Sequence, residues 1–147
     1  MTSLISPQDF TTVTHQMRSF FLEKGFLEVH TQNRLSILAA CEDPTTVTTY
    51  EYAGEVWPLP QTGQMWLEYE LLTNPDIPGC FCVSTSYRQE QNPKEGRHEL
   101  IFPMFEFEMP VHLLIYYRWK MTFVSFWDLL VTITGQDSLR ISQAGTI

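Results

Sequence analysis

Two segments of this chain, separated by a polar loop, carry the residues whose types and spacing are best suited to chemistry. The first segment contains Arg88 and Glu90, and the second contains Glu106 and Glu108. If both segments are β-strands, each pair lies on one face of its strand, because side chains alternate between the two faces. A fixed guanidinium beside carboxylates can hold a phosphate group together with its metal ion. The alternative interpretation is a surface hairpin with a salt bridge.

The alternation of residue types continues along both segments and predicts an antiparallel hairpin, with strands near residues 80–89 and 99–108. One face of this hairpin is mainly polar and the other is apolar. The polar face carries Ser84, Ser86, Arg88, Glu90, Phe102, Met104, Glu106 and Glu108, and the apolar face carries Phe81, Val83, Tyr87, Ile101, Phe105 and Phe107. We therefore expect Arg88 and Glu106 on the same side of a sheet.

The hairpin resembles motif 2 of the class II aminoacyl-tRNA synthetases, in the subgroup that handles aspartate, asparagine and lysine. In that subgroup the motif opens with Arg-x-Glu, passes through a flexible loop to Arg-His, and ends in a strand with Phe, Met and two Glu residues. The matching positions in this chain are Arg88, Glu90, Arg97, His98, Phe102, Met104, Glu106 and Glu108.

The resemblance implies a nucleotide site with ATP and Mg²⁺ as cofactors. Arg88 would contact the α-phosphate, and Arg97 or His98 would contact the γ-phosphate. Phe102 would stack on adenine, and Glu106 would help to hold Mg²⁺ or the aminoacyl-adenylate. Arg88 and Glu106 are the residues to which the resemblance assigns catalysis.

The same resemblance implies an amino-acid site formed by Glu42, Gln64 and Glu90. Glu42 lies where the subgroup carries an acidic turn that meets the substrate ammonium group; its alternative role is that of a turn residue before Asp43-Pro44. Gln64 lies in a segment similar to the subgroup's Ser-Gly-Gln-Leu or Ser-Pro-Gln-Leu element. Its alternative role is that of a polar residue at the start of a helix.

The elements that would position these residues are also visible in the sequence. Ser6, Pro7 and an apolar stripe with helical spacing predict a helix that ends at Gly25 and is followed by a strand over 26–31. This unit resembles the dimer-forming motif 1, although Gln32 stands where the family normally has proline. Two short strands are predicted around Gly54, and a helix over 64–74 is predicted with Thr62 as its cap.

These observations predict an α+β fold with a mixed, mainly antiparallel sheet flanked by helices. Residues 1–110 would form an incomplete synthetase-like core, with motif 1 at about 10–32 and motif 2 at about 81–109. Residues 111–147 would form a divergent tail. By resemblance, the family carries a Gly-x-Gly-x-x-Arg sequence whose arginine grips the nucleotide, and no such sequence follows Pro110. The composition also changes at Pro110, since 15 of the 17 acidic residues precede it. The tail could pack as a helix on the sheet or derive from an unrelated reading frame.

The composition limits the other classes of function. A net charge of −8 with only nine basic residues argues against non-specific binding of nucleic acid. The sequence shows no anticodon-binding barrel, so a tRNA partner is not predicted from it. No segment is long and apolar enough to span a membrane and no presequence is recognisable, so we expect a cytoplasmic protein. Three cysteines without metal-ligand spacing predict buried reduced thiols.

The predicted ancestral activity is ATP-dependent activation of an amino acid of the Asp, Asn or Lys type. The chain on its own would be incomplete for this reaction. Two alternatives remain open at this point. One is a relative of the AMP-forming asparagine synthetases, and the other is a non-catalytic module that forms a homodimer or a dimer with a full-length paralogue.

Overall fold

The computed structural model describes residues 6–31, 42–95, 98–110, 122–124 and 126. The first helix, α1, spans Pro7–Glu23. The Ser6 hydroxyl accepts a hydrogen bond from the Asp9 backbone N–H (3.3 Å), and Gly25 follows the helix with φ +79°. Only glycine adopts such a conformation without strain, so it ends the helix and turns the chain. The predicted helix and both of its boundary signals are confirmed.

The first strand, β1, is shorter than predicted. It spans Leu27–Glu28 and runs parallel to a later strand. One further hydrogen bond joins the Val29 N–H to the Phe81 carbonyl oxygen (2.8 Å). Near Tyr87, the same edge of that later strand is bordered by a loop, since the Tyr87 N–H donates to the Pro60 carbonyl oxygen (2.9 Å). Part of the edge that β1 could have paired with is therefore occupied by another segment.

The next elements form a small antiparallel hairpin of β2 (Thr49–Tyr52) and β3 (Glu55–Pro58). Ala53 and Gly54 connect the strands with φ values of +54° and +80°. Two positive φ values in a two-residue loop are typical of the turn that matches the right-handed twist of a hairpin. The two strands predicted around Gly54 are confirmed.

The second helix, α2, spans Gln64–Thr73, and a short 3₁₀ turn at Pro44–Thr46 precedes β2. Its N-cap is Gly63 and not the predicted Thr62. The Thr62 hydroxyl still accepts a hydrogen bond from the Gln64 N–H (3.1 Å), so it satisfies one of the free backbone donors at the helix start. The predicted cap is thus displaced by one residue but keeps part of its role.

The central hairpin consists of β4 (Cys80–Tyr87) and β5 (Ile101–Glu108), and the sheet order is β1-β4-β5. In the antiparallel register Cys82 lies opposite Glu106, and Ser86 lies opposite Phe102. Residues directly opposite one another in such a pair share a face. The predicted polar and apolar faces of the hairpin are therefore confirmed.

The two helices cover opposite faces of this sheet. On the apolar face, Phe21 from α1 is fully buried against Phe81, Phe105 and Phe107. On the polar face, Leu67 from α2 is buried with the thiols of Cys80 and Cys82. The result is the predicted α+β fold, a mixed sheet flanked by helices.

Part of the predicted tail also reaches the apolar face. Residues 122–124 and 126 are helical, and the ring of Phe123 packs against Phe20, Phe21 and Phe107. The rest of 111–147 lies outside the described residues, as do residues 32–41 with Cys41. No helix among the described residues is long and apolar enough to cross a membrane.

Both described cysteines are free thiols, as predicted. Burial raises the pKa of Cys80 to about 12, and burial with the nearby Glu106 carboxylate raises the pKa of Cys82 as well. The reactive form of cysteine is the thiolate, which is disfavoured at both positions. These thiols fill the space under α2 and are not candidates for chemistry.

Candidate functional site

Arg88 and Phe102 lie together on the polar face of the hairpin. The guanidinium carbon of Arg88 lies over the Phe102 ring, 5.6 Å from its centroid. The Arg88 N–H donates to the Leu100 carbonyl oxygen (2.8 Å), which extends the strand pairing and fixes the backbone at this point. Among the described residues, no hydrogen-bond acceptor reaches the buried Nε of Arg88. A buried guanidinium nitrogen without an acceptor is rare in native proteins, and Arg88 also lines an open pocket in which a charge-assisted contact to an anion can form.

An open pocket of about 430 Å³ lies beside Arg88. Asp43 and Thr46 from the 3₁₀ turn form one side of it, and Glu90 and Asn92 from the hairpin loop form another. Hydrogen bonds from the Thr45 hydroxyl and backbone N–H lower the pKa of Asp43, and the positive charge of Arg88 contributes in the same direction. The pocket therefore combines a cation, an ionised carboxylate and hydroxyl groups.

The turn that carries Asp43 is held in place by Gln61, which the sequence analysis did not single out. Gln61 is 2% exposed. Its side-chain oxygen accepts from the Asp43 N–H (3.1 Å), and its side-chain nitrogen donates to the Asp43 carbonyl oxygen and the Thr46 hydroxyl oxygen (both 3.0 Å). The sequence does show a glutamine at position 61, three residues before the predicted ligand Gln64. Nothing in the local pattern indicates that Gln61 is the buried one of the two.

Glu106 lies further along the same face and joins β5 to the start of α2. Its carboxylate accepts hydrogen bonds from the Thr62 hydroxyl, the Gly63 N–H (2.7 Å) and the Ser84 hydroxyl (3.0 Å). A Cβ atom at position 63 would lie 3.2 Å from Glu106 Oε2 and 2.7 Å from the Cys82 sulfur. Glycine is needed there because no larger residue allows the carboxylate and the helix start to approach so closely.

Gln64 lies near Glu108 at the far end of the polar face. Burial raises the pKa of Glu108 to about 6, and the Glu68 carboxylate adds to this effect, whereas a hydrogen bond from the Gln64 side chain opposes it. The predicted amino-acid ligand Gln64 therefore contacts an acidic group that titrates close to neutral pH. The predicted ligand Glu42 precedes Asp43, at the other end of the face.

His98 and Glu90 are in close hydrogen-bonding contact through His98 Nδ1 and Glu90 Oε2. The pair joins the two ends of the hairpin loop, since Glu90 follows β4 and His98 precedes β5. This arrangement directs Glu90 towards the predicted phosphate ligand His98. Arg97, the other predicted γ-phosphate ligand, lies outside the described residues.

The register separates Arg88 from Glu106. Glu106 is opposite Cys82, which is six residues before Arg88 on the same strand. At about 3.3 Å per residue, this corresponds to roughly 20 Å along the sheet. The two predicted catalytic residues thus share a face, but they are not adjacent to one another. A ligand that contacts both must be elongated.

The prediction of Mg²⁺ at Glu106 stays a prediction. Both carboxylate oxygens accept hydrogen bonds, Oε1 from Thr62 and Oε2 from Gly63 and Ser84, which leaves a lone pair on Oε1. In the part of the chain that the structure describes, no group of three His, Cys, Asp or Glu side chains could hold a metal ion. Mg²⁺ in nucleotide sites is usually held by one or two carboxylates together with water and substrate phosphates, so a single carboxylate such as Glu106 is compatible with that role.

A mixed sheet with this hairpin and a helix on each face is the fold of class II synthetase cores. The profile of the family "tRNA synthetases class II (D, K and N)" matches residues 8–117, which is most of the chain. The chain therefore belongs to this family of class II synthetases. The match continues past Met109, where the resemblance in the sequence ended.

Solved structures of the family share the fold. The asparaginyl-tRNA synthetase from Pyrococcus horikoshii, complexed with asparaginyl-adenylate, has a TM-score of 0.64 and 21% identity over 85% of this chain and 27% of that chain. The enzyme from Entamoeba histolytica, in complex with the same adenylate, has a TM-score of 0.64 and 19% identity over 92% of this chain and 30% of that chain. The chain thus spans less than a third of their length. The comparison with curated proteins finds no match.

Proposed function

We propose that the polar face of the hairpin binds ATP and an amino acid of the Asp, Asn or Lys type, that its ancestral activity is formation of an aminoacyl-adenylate, and that the chain on its own is incomplete for this reaction. The observation that carries this proposal is the Arg88–Phe102 pair, in which a buried guanidinium nitrogen lacks an acceptor among the described residues. An aromatic ring and a guanidinium side by side suit a ligand that has both a base and a phosphate.

In this proposal the nucleotide lies at the Arg88 end of the face. Arg88 contacts the α-phosphate, and adenine stacks on Phe102. His98, held by Glu90, contacts the γ-phosphate together with Arg97. An Arg–phosphate contact is among the stronger and more directional hydrogen bonds, so Arg88 would contribute most to positioning the reacting phosphorus.

The amino acid would lie on the same face between Arg88 and α2. Of its predicted ligands, Glu42 and Glu90 lie at the Arg88 end of the face and Gln64 lies at the far end, so one amino acid would contact one end or the other. Glu106 would help to hold Mg²⁺ or serve as a fixed negative charge for the amino-acid part of the adenylate. Its three hydrogen bonds hold it in one orientation before a substrate arrives. Such preorganised charge is what stabilises a transition state without the cost of reorganisation.

The reaction needs little covalent participation by the protein. A carboxylate oxygen of the amino acid forms a bond to the α-phosphorus, and the bond from that phosphorus to the bridging oxygen of the leaving group breaks to release pyrophosphate. Arg88 stabilises the charge on the α-phosphate oxygens, and the remaining residues hold the two substrates in line. A homodimer through α1 and β1 and a cytoplasmic location belong to the same proposal.

The test is calorimetric titration of residues 1–147 with ATP and Mg²⁺, and with a non-hydrolysable sulfamoyl analogue of asparaginyl-adenylate. Arg88→Ala should weaken binding of both ligands by about tenfold or more, the effect of losing a charge-assisted hydrogen bond. Arg18→Ala is the matched control, because Arg18 pairs with Glu28 (2.9 Å) away from the candidate site. Equal binding by the Arg88→Ala variant and the parent protein would refute the assigned role of Arg88.

A further inference from the structure

Gln61 links two parts of the candidate site that are far apart in the sequence. Its side chain makes three hydrogen bonds to the turn that carries Asp43 and Thr46. These bonds use the side-chain oxygen and nitrogen together, so the buried amide of Gln61 is well satisfied. A buried amide that is fully engaged with one turn restricts how that turn can move.

The backbone around Gln61 is attached to the strand that carries Arg88. The Ser86 hydroxyl donates to the Gln61 carbonyl oxygen (2.8 Å), and the Gln89 N–H donates to the Thr46 carbonyl oxygen (2.9 Å). Hydrogen bonds therefore connect Arg88's neighbours on both sides to Gln61 and to the turn. Gln61 is the central point of this connection, because it bonds to β4 through its backbone and to the turn through its side chain.

We propose that Gln61 is a positioning residue, which holds the turn of residues 43–46 beside Arg88 and thereby sets the position of Glu42 for the amino-acid substrate. The inference rests on the proposed function, since it assigns Gln61 to the amino-acid half of the same site. Gln61 would orient the turn without touching the substrate itself, because its side chain is buried and its polar atoms face the turn.

The substitution Gln61→Met tests this role, since it keeps the length of the side chain and removes both of its hydrogen-bonding atoms. We expect the affinity for the sulfamoyl analogue of asparaginyl-adenylate to fall by about tenfold or more, the scale of a small misplacement of a ligand-contacting group. The affinity for ATP with Mg²⁺ should change less, because the Arg88 N–H keeps its hydrogen bond to the Leu100 carbonyl oxygen and the guanidinium keeps its contact with Phe102. This difference between the two ligands is what a merely structural residue would not produce.

Two further variants separate positioning from loss of stability. Thr46→Val removes one acceptor of the Gln61 side chain at nearly constant shape, and should reduce the affinity for the analogue in the same direction but less. Met17→Ala destabilises the core on the opposite face of the sheet and should leave both affinities unchanged at a temperature where the protein is folded. If Gln61→Met lowers the two affinities equally, or changes neither, the proposal is wrong.

Amide hydrogen exchange tests the positioning role of Gln61 without any ligand. The N–H groups of Asp43 and Gln89 form the hydrogen bonds that connect the turn to Gln61 and to the end of β4. In Gln61→Met these two amides should exchange faster, while the amides of α1 keep their protection. Should the parent protein bind neither ligand, the proposed function fails, and unchanged exchange at Asp43 and Gln89 would then overturn the role of Gln61 as well.

Discussion

The guanidinium of Arg88 lies over the ring of Phe102, on the face of the central hairpin that α2 partly covers. The contact joins a residue just after β4 to a residue in β5. It depends on the register that places Ser86 opposite Phe102. A cation over an aromatic face is attracted by the electrons of the ring, which keeps the guanidinium in place without neutralising its charge.

This contact leads to a prediction for Phe102. We expect Phe102→Leu to reduce the affinity for ATP by about tenfold, because base–aromatic stacking contributes roughly 1–3 kcal/mol. Binding of inorganic tripolyphosphate, which has no base, should change much less. Phe10→Leu, at an exposed aromatic residue of α1, is the control. A similar loss for both ligands would show that Phe102 only supports Arg88.

A second prediction concerns the contact between Glu106 and the start of α2. In Glu106→Gln, the hydrogen bonds from Gly63 and Ser84 go to a neutral amide oxygen instead of a charged carboxylate, and the amide nitrogen can no longer accept from the Thr62 hydroxyl. We expect the free energy of unfolding to fall by about 1–3 kcal/mol. The exposed Glu51→Gln is the control, and urea unfolding is the measurement. If the two variants are equally stable, Glu106 does not hold α2 on the sheet.

A third prediction concerns pH. The pKa of Glu108 is raised to about 6 in the folded protein, so the folded state binds more protons than the unfolded state between the unfolded value near 4.3 and about 6. Stability from this group is therefore present at low pH and is lost as pH rises through that range. Glu108→Gln should unfold at a higher temperature than the parent protein at pH 7.5.

The difference in unfolding temperature between Glu108→Gln and the parent protein should shrink towards pH 4.5, where the parent carboxyl is protonated and therefore uncharged, like the amide. The groups that face Glu108 are the carboxylates of Glu68 and Glu106 and the amide of Gln64. Other carboxylates also titrate at low pH, so the informative quantity is the difference between the two proteins. A difference that stays constant from pH 4.5 to 7.5 would contradict the raised pKa.

A fourth prediction concerns the segment after Pro110. Phe123 is 9% exposed and contacts the rings of Phe20, Phe21 and Phe107. Phe123→Ala should therefore lower the stability by about 3 kcal/mol, as in other large-to-small core substitutions. Val124→Ala, at an exposed position of the same helical turn, should have little effect. Deletion of residues 111–147 should be at least as destabilising as Phe123→Ala.

The fifth prediction concerns catalysis by residues 1–147 expressed alone. By resemblance, the family uses an arginine in a Gly-x-Gly-x-x-Arg sequence to grip the nucleotide, and this sequence does not occur after Pro110. Loss of one preorganised charge contact costs about 10²–10³ in rate. We therefore expect ATP binding without appreciable pyrophosphate exchange in the presence of aspartate, asparagine or lysine. Robust exchange would show that other residues take the place of that arginine.

The sequence by itself determined the central hairpin and its two faces. Strand side chains alternate with a period of two, so the order of residues from Phe81 to Glu108 was sufficient to place Arg88, Phe102 and Glu106 on one side. The start and end of α1 were equally local, because Ser6 and Gly25 act on the backbone of adjacent residues. The roles assigned to Arg88, Phe102 and Glu106 by resemblance stay proposals.

Tertiary structure alone decided how these elements meet. Gln61 bonds to a turn 18 residues earlier and Glu106 reaches Gly63, 43 residues away. No periodicity encodes such pairs, since they depend on which segment lies against which face of the sheet. The surroundings then decide what each side chain does. Gln61 is buried and supports the turn, whereas Gln64, the same residue type, is a hydrogen-bond partner of Glu108. The separation of Arg88 from Glu106 likewise followed from the register, which only the paired strands define.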